Sequence, residues 1–194
     1  MKSAGQHSSI ITFFSPFCDL PAELIPAIEA VLQRHEYPKK HILLKKGNVC
    51  HHLYFMEKGL ARNFFEEEGK ELTTDIVLDG ELLVSFSSFS TRKPSIETIE
   101  LLENSTLYAI HYDDLQKLYT EFPVMERAVR LITEHYYNSL YTKNYHLRFS
   151  SAAERYEHLF KTKIEIVKRV PIGIIASYLG MSIETLSRIR SKQD

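Results

Sequence analysis

Residues 170–190 read VPIGIIASYLGMSIETLSRIR, and this stretch decides how the rest of the chain is read. Pro171 suits the opening turn of a helix, where its missing N–H costs nothing. Ile172, Ile175, Ala176 and Leu179 follow at i, i+3, i+4 and i+7, the spacing of one apolar stripe. Gly180 then supplies the left-handed conformation that ends a helix tightly. Two residues on, Ser182 can cap a second helix by accepting from its free N–H groups. That helix is expected to bury Ile183, Leu186 and Ile189 and to turn Glu184, Thr185, Arg188 and Lys192 to solvent. Two short helices at a fixed angle, the second polar on its outer face, are what a DNA major groove accepts.

Working outward, the charge distribution agrees. The 194 residues carry 24 Lys/Arg and 25 Asp/Glu, so net charge alone does not point to nucleic acid. From Lys143 onward, however, there are 10 basic and 5 acidic residues, and the acidic excess lies in the first 142. Positive charge collected around a helix pair is what attraction to phosphate requires, although a short domain can also drift to such an excess. Cys18 and Cys50 are too few for a disulfide framework or a four-thiolate iron–sulfur cluster and read as free core thiols in a reducing compartment. The apolar run Ile10–Phe14 is too short for a secretory signal, and no stretch is long enough to span a bilayer. The expectation is a soluble, cytoplasmic chain with no membrane partner.

Residues 1 to about 36 read as helical and peripheral, with Pro21 opening a helix over Ala22–His35. Then the texture changes. Short apolar or alternating runs recur at His41–Lys45, Leu53–Glu57, Ala61–Glu66, Leu72–Leu78, Glu97–Leu102 and Leu107–His111, separated by turns carrying Gly47, Gly59, Gly69 and Gly80. This is the pattern of a β-barrel or double-sheet jelly roll whose interior can hold a small ligand. After Asp113 the period turns helical. Phe122, Met125, Val129, Ile132 and Tyr136 follow a 3-4-3-4 seam, which suits either pairing with a second helix or packing on the chain's own barrel. A dimer interface through Met125, Val129, Ile132 and Tyr136 is the expectation, because helix-turn-helix proteins usually span two half-sites as dimers. A further helix over Ala152–Lys161 precedes the reader. The fold class is thus α+β, with a β jelly-roll sensor over 1–118, a connecting helix over 119–147 and a helix-turn-helix over 148–194.

This plan resembles the Crp/Fnr family of bacterial transcription regulators over almost the whole chain. Lys46–Gly47, Leu53–Tyr54–Phe55 and Gly59 resemble the family's early barrel turns, Glu68–Gly69–Lys70–Glu71 its central hairpin, and Ile172–Arg190 its reader. The resemblance implies a DNA-binding regulator rather than an enzyme, with double-stranded DNA, a second copy of the chain and RNA polymerase as partners. Members that bind cyclic AMP use a Gly-Glu pair for the ribose and an Arg-Ser pair for the phosphate. Counted without gaps, those pairs fall on Val84–Ser85 and on Ser95–Ile96; shifted registers place them on Gly80–Glu81 and Pro94–Ser95. Neither register supplies the arginine, and each missing charge-assisted bond to a buried phosphate forfeits roughly 1.5–3 kcal/mol. Ordinary cyclic AMP binding is therefore expected to be weak or absent. The implied effector pocket is Val84, Ser85, Arg92 and Ser95, with Arg92 and Lys93 either serving a different anion or solvated in a loop. No cofactor is identified. The family's amino-terminal cysteine cluster is missing, and nine histidines offer no spacing that singles out a haem ligand.

In the reader, the resemblance places Glu184 and Arg188 at base-reading positions. A guanidinium fork suits guanine O6 and N7, and a carboxylate accepts from cytosine N4. Ser182 and Thr185 would bond phosphates, with Arg190 and Lys192 adding charge. A solvated Glu184–Arg188 pair, worth a few tenths of a kcal/mol, is the plainer reading of the same spacing. Only Ser191–Asp194 follow Arg190, so a reader without the family's β-hairpin wing is expected. Two other classes compete. A cupin-like metal enzyme would need His-x-His so that both side chains enter the barrel, and adjacent His51–His52 point to opposite faces. A sensor that signals through proteins, without touching DNA, would leave the basic carboxy-terminal segment unexplained.

Overall fold

The glycine-punctuated apolar runs form two four-stranded antiparallel sheets in the computed structural model, which describes residues 8–192. The strands are β1 (Gln33–Tyr37), β2 (Ile42–Leu44), β3 (His52–Lys58), β4 (Ala61–Glu67), β5 (Lys70–Val77), β6 (Leu82–Leu83), β7 (Glu97–Leu101) and β8 (Ser105–His111). One sheet has the order β1-β8-β3-β6 and the other β2-β7-β4-β5, the double-sheet arrangement of a jelly roll. Their inner faces enclose Phe55, Ala61, Val77, Leu83, Ile99, Leu101 and Leu107, all buried. Gly59 turns between β3 and β4 at φ +136°, where a Cβ would collide with the Ser105 side chain. Both the left-handed backbone and the close approach require glycine there.

The helices are α1 (Ser8–Phe14), α2 (Leu24–Val31), α3 (Phe86–Thr91), α4 (Tyr112–Glu121), α5 (Pro123–Phe149), α6 (Ala152–Thr162), α7 (Ile164–Arg169), α8 (Ile172–Tyr178) and α9 (Ile183–Arg190). The amino-terminal expectation needs correction. The helix expected to reach His35 stops at Val31, and Gln33–Tyr37 instead pairs antiparallel with Ala109–Ser105 of β8. That strand is mostly polar because it is a sheet edge with one face in water, so no apolar alternation announces it. A sensor boundary at 118 would also cut α4, which runs on to Glu121.

The long helix α5 uses its two halves differently. Met125 and Ile132 are buried in the barrel's own core, Val129 packs against it, and the Tyr136 hydroxyl accepts from Leu82 N at 3.1 Å. Burying each such aliphatic side chain stabilises the fold by about 1.5–3 kcal/mol. The seam expected to face a second subunit is therefore covered by its own domain. Farther along, Tyr137, Leu140, Tyr141, Tyr145 and Phe149 are exposed.

Behind α5, a second core joins the reader to the outside of the barrel. Tyr156, Leu159, Ile166, Ile175, Ala176, Leu179 and Leu186 from the helical segment pack with Ile76 of β5 and with Leu60 and Leu102 in the turns that adjoin β4 and β7. Polar bonds reinforce this seat. Thr73 N donates to Ser177 Oγ at 2.8 Å, and that hydroxyl donates to the Glu71 carbonyl at 3.2 Å, so α8 satisfies the free edge of β5. Arg169 bonds Asp79 Oδ2 (2.6 Å), Glu103 Oε2 (2.7 Å) and the Gly59 carbonyl (2.8 Å). Lys163 Nζ reaches Glu81 Oε1 at 2.8 Å.

Candidate nucleic-acid interface and barrel interior

The reader is built from its caps. Ser151 and Glu154 form a reciprocal capping box at the start of α6, which fixes where that helix leaves α5. Gly180 has φ +63°, with Gly180 N donating to the Ser177 carbonyl (3.1 Å) and Met181 N to the Ala176 carbonyl (3.0 Å). That bonding pattern is the Schellman motif, and it sets the turn between α8 and α9. Arg155 locks the turn from outside, donating to the carbonyls of Leu179 (2.8 Å), Gly180 (3.3 Å) and Ser150 (2.6 Å). Ser182 Oγ accepts from Thr185 N at 3.2 Å and so caps α9. Sequence reading missed the Arg155 clamp, because its partners are carbonyls that no side-chain pattern reveals.

On α9, Leu186 is buried while Glu184 and Arg188 are exposed on the outer side. The Glu184 carboxyl is held below its usual range by hydrogen bonds at the helix N-terminus, chiefly from its own backbone and from Ser182, with a smaller through-space contribution from Arg188. Thr185, Arg188 and Lys192 line a groove of about 260 Å³ with Ala153 and Ile189, so α6 and α9 together shape this surface. Arg190 is half-buried. One expectation fails here: Ile183, expected inside, is 48% exposed, because the first residue of α9 lies beyond the reach of the packed core.

The residues assigned to an effector pocket divide. Ser85 and Ser95 are buried, with hydroxyl oxygens 2.9 Å apart, and the Val84 carbonyl accepts from Asn63 Nδ2 at 3.1 Å. Arg92 does not join them. It ends α3 at φ +59°, donates to the carbonyls of Cys50 (2.7 Å) and Phe89 (3.1 Å), meets His51 Nδ1 at 2.9 Å and lies 4.1 Å over the Tyr112 ring. Its guanidinium bonds neither Ser85 nor Ser95, so it is a structural cap of the α3 segment rather than a pocket cation.

What stands beside the two serines is Glu97. Strand register puts Asn63 opposite both Asp75 and Ile99, and Glu97 two residues from Ile99, so all four share the inner face of their sheet. Thr74 Oγ1 donates to Glu97 Oε2 at 3.3 Å. Burial pushes the Glu97 carboxyl up, opposed by Ser85, Thr74 and Asn63 around it. Burial likewise raises Asp75, opposed by the Lys143 and Lys163 ammonium groups. Lys143 crosses from α5, with Nζ on the Thr74 carbonyl and 3.6 Å above the Tyr178 ring, and burial pulls its pKa down to about 8. None of Asn63, Asp75 or Glu97 stood out in the sequence, since each occupies a strand position where alternation alone predicts an apolar residue. The larger groove, about 530 Å³, opens at the β4–β5 hairpin between Phe65, Leu72, Ile96 and the charged residues Lys46, Glu67, Glu68 and Lys70.

With barrel, connecting helix and helix-turn-helix placed, the comparisons with known proteins are direct. Residues 34–122 match the cyclic nucleotide-binding domain family. The anaerobic regulatory protein of Pasteurella multocida is 25% identical over 95% of this chain and 71% of its own length. The fumarate and nitrate reduction regulatory protein of Yersinia pestis is 27% identical over 95% of this chain and 78% of its own. Over nearly its whole length the chain is similar to regulators of the Crp/Fnr kind. Two solved structures share its fold. FixK2 from Bradyrhizobium japonicum aligns with a TM-score of 0.71 at 17% identity over 84% of each chain. The regulator CLP from Xanthomonas campestris aligns with a TM-score of 0.70 at 21% identity, over 89% of this chain and 91% of that one. Relatives of this kind are regulators, which sets the cupin-like enzyme aside. The family barrel implies a cyclic nucleotide, and the residues here do not fit one: the serine pair faces a carboxylate, and the nearby arginine is committed elsewhere.

Proposed function

We propose that the chain is a DNA-binding transcription regulator of the Crp/Fnr type, acting as a homodimer and not gated by cyclic AMP. The observation that carries this reading is the outer side of α9, where Glu184 and Arg188 are exposed on a helix whose inner side is buried. Arg188 offers the bidentate fork for guanine and Glu184 an acceptor for cytosine N4. Thr185 and Lys192 flank them on the groove shared with α6 and serve the phosphates, with Arg190 and the Ser182 hydroxyl at the margins. The excess of basic residues from Lys143 onward supplies the long-range attraction.

The partner that fits α5 is a second copy of the same chain. Tyr137, Leu140, Tyr141, Tyr145 and Phe149 form an exposed apolar stripe on the half of α5 that leads to the reader. Pairing along that stripe would set two readers at a fixed separation, which a two-fold operator requires. Among the described residues no helix is long and apolar enough to cross a membrane. Selection from sheared genomic DNA with the purified chain, followed by sequencing, tests the proposal. The expected result is enrichment of a two-fold symmetric motif that Arg188→Ala no longer enriches. Recovery of unenriched sequence by the wild-type chain at low salt would refute it.

A further inference from the structure

Two histidines, where β3 begins and β8 ends, are held in one protonation state by the groups that touch them. His51 Nδ1 lies 2.9 Å from Arg92 Nη2, and His111 Nδ1 lies 3.2 Å from Asp113 N. A guanidinium and a backbone N–H can only donate, so both Nδ1 atoms accept. Each ring is therefore neutral, carries its hydrogen on Nε2 and has no free lone pair for a metal. The rings also lie together: His51 stacks on His111 with centroids 5.9 Å apart, and His52 meets His111 edge-on at 5.2 Å. This node joins two helices. Arg92 is the C-cap of α3, and its guanidinium lies 4.1 Å over the ring of Tyr112, the first residue of α4. Tyr112 N donates to the His51 carbonyl at 2.9 Å, and His111 is the N-cap of α4. The end of α3 and the start of α4 thus meet on the two imidazoles. The other groups facing the cluster are Tyr54 of β3 and His35 of β1, both beside His52, and the Asp113 carboxylate, 3.5 Å from His111 Nδ1.

We propose that His51 and His111 form an acid-released clasp: as neutral rings they hold the ends of α3 and α4 together, and protonation lets those ends part. His51 is exposed, so the proton reaches it from solvent. A proton on its Nδ1 replaces the bond to Arg92 with two like charges in contact. A proton on His111 Nδ1 makes that atom a donor, which must leave the Asp113 N–H and turn to the same residue's carboxylate. The first turn of α4 then loses its cap. The neighbourhood already disfavours charge, since burial, and after it His111, His51 and His35, hold the His52 pKa below its ordinary 6.5. A histidine lowered in this way contributes stability that is full above the ordinary value and is lost as pH falls through the folded one. The inference rests on contacts within the barrel domain and not on the DNA-binding reading, so its test uses no DNA.

The experiment measures amide hydrogen exchange in the full-length chain at about pH 7.5 and about pH 5.5, on either side of the histidine range, corrected for the intrinsic pH dependence of exchange. In the wild type, α3 and the first turn of α4 are expected to exchange at least about tenfold faster at the lower pH, relative to the β4–β5 pair. The comparison is the double variant His51→Asn, His111→Asn. Asparagine keeps an acceptor oxygen near the Nδ1 position and takes no proton in this range, so its protection should be the same at both pH values. Unchanged wild-type protection, or an equal acceleration in the double variant, would overturn the proposal. Proton–nitrogen correlation spectra of the wild-type imidazoles need no substitution and decide the matter if the double variant does not fold. Both Nδ1 atoms should be unprotonated at about pH 7.5, and a proton found on either one there would overturn it.

Discussion

Replacing Arg169 by alanine tests how firmly the reader is seated on the barrel. Arg169 ends α7, and its side chain is 22% exposed, against 43% for Asp79 and 37% for Glu103. It makes bonds to two carboxylates and one carbonyl, spanning from the reader side to the β3–β4 turn and the β7–β8 loop. Charged hydrogen bonds contribute about 1.5–3 kcal/mol each when buried. The two carboxylates are more than a third exposed and recover water on truncation, so most of that is screened away. The carbonyl of Gly59 and the lost packing of the alkyl stem remain, and a net cost of about 2–3 kcal/mol follows. For a chain of this size that lowers Tm by roughly 4–12 °C. Because Arg169 joins two cores, the calorimetric trace should also broaden or split as barrel and reader begin to unfold separately. The Asp79 carboxyl is held below its ordinary value, with burial opposing and Arg169 and the Gly59 N–H favouring the charge. A depressed carboxyl contributes stability that is present above the unfolded pKa near 3.8 and lost as pH falls through the folded value. The wild-type advantage over the alanine variant should therefore be full at neutral pH and shrink below about pH 4. A single sharp transition within about 1 °C of wild type at pH 7 would refute the idea that this clamp couples the two cores.

The other expectations are briefer. Arg188→Ala should cost about 1–3 kcal/mol at the selected operator and relax the base preference at one position, read by gel shift on a panel of single-base variants. Lys192→Ala should weaken binding to every sequence alike and flatten the log–log salt dependence by about one unit; a sequence-selective loss would contradict a phosphate role. Leu140→Glu should convert a dimer to a monomer in analytical ultracentrifugation while leaving Tm nearly unchanged, because Leu140 is exposed in the single chain. Gly59→Ala should prevent stable folding, since the φ of +136° and the Ser105 side chain both exclude a Cβ; a soluble variant with native circular dichroism would show that the turn can shift.

Most strands and the reader were legible because each is written in local code. The runs at His41–Lys45, Leu53–Glu57, Ala61–Glu66, Leu72–Leu78, Glu97–Leu102 and Leu107–His111 carry alternation or dense apolar content, with glycine turns between most of them, and all appear as strands within two residues of those bounds. Gly180 and Ser182 mark the helix-turn-helix by backbone requirements that few other residues meet. What stayed hidden depends on distant partners. β1 is visible only through its pairing with β8, and β6 is two residues long. The interior polar face became visible only once register aligned Asn63, Asp75 and Glu97, residues separated by up to 34 positions in the chain.

The seam on α5 shows why spacing alone could not choose a partner. Phe122, Met125, Val129, Ile132 and Tyr136 present a stripe that any apolar surface can cover, and two surfaces compete for it. The chain's own barrel wins because α4 docks on β8 and Leu118 is buried, so that the turn at Phe122 delivers α5 directly onto the core. A second subunit would have to displace contacts that are already intramolecular, and association carries an entropic cost that an intramolecular contact avoids. Past Tyr136, α5 still meets β5 at Lys143, whose Nζ bonds the Thr74 carbonyl, but Tyr137, Leu140, Tyr141 and Tyr145 stay exposed. In the proposed dimer a partner subunit would gain most on these exposed side chains, which would put the contact nearer the reader than the 122–136 seam. Pairing there also shortens the lever between the two-fold axis and each α9. The separation of the readers then depends on α6, the Arg155 clamp and the Arg169 seat, and much less on any movement inside the barrel.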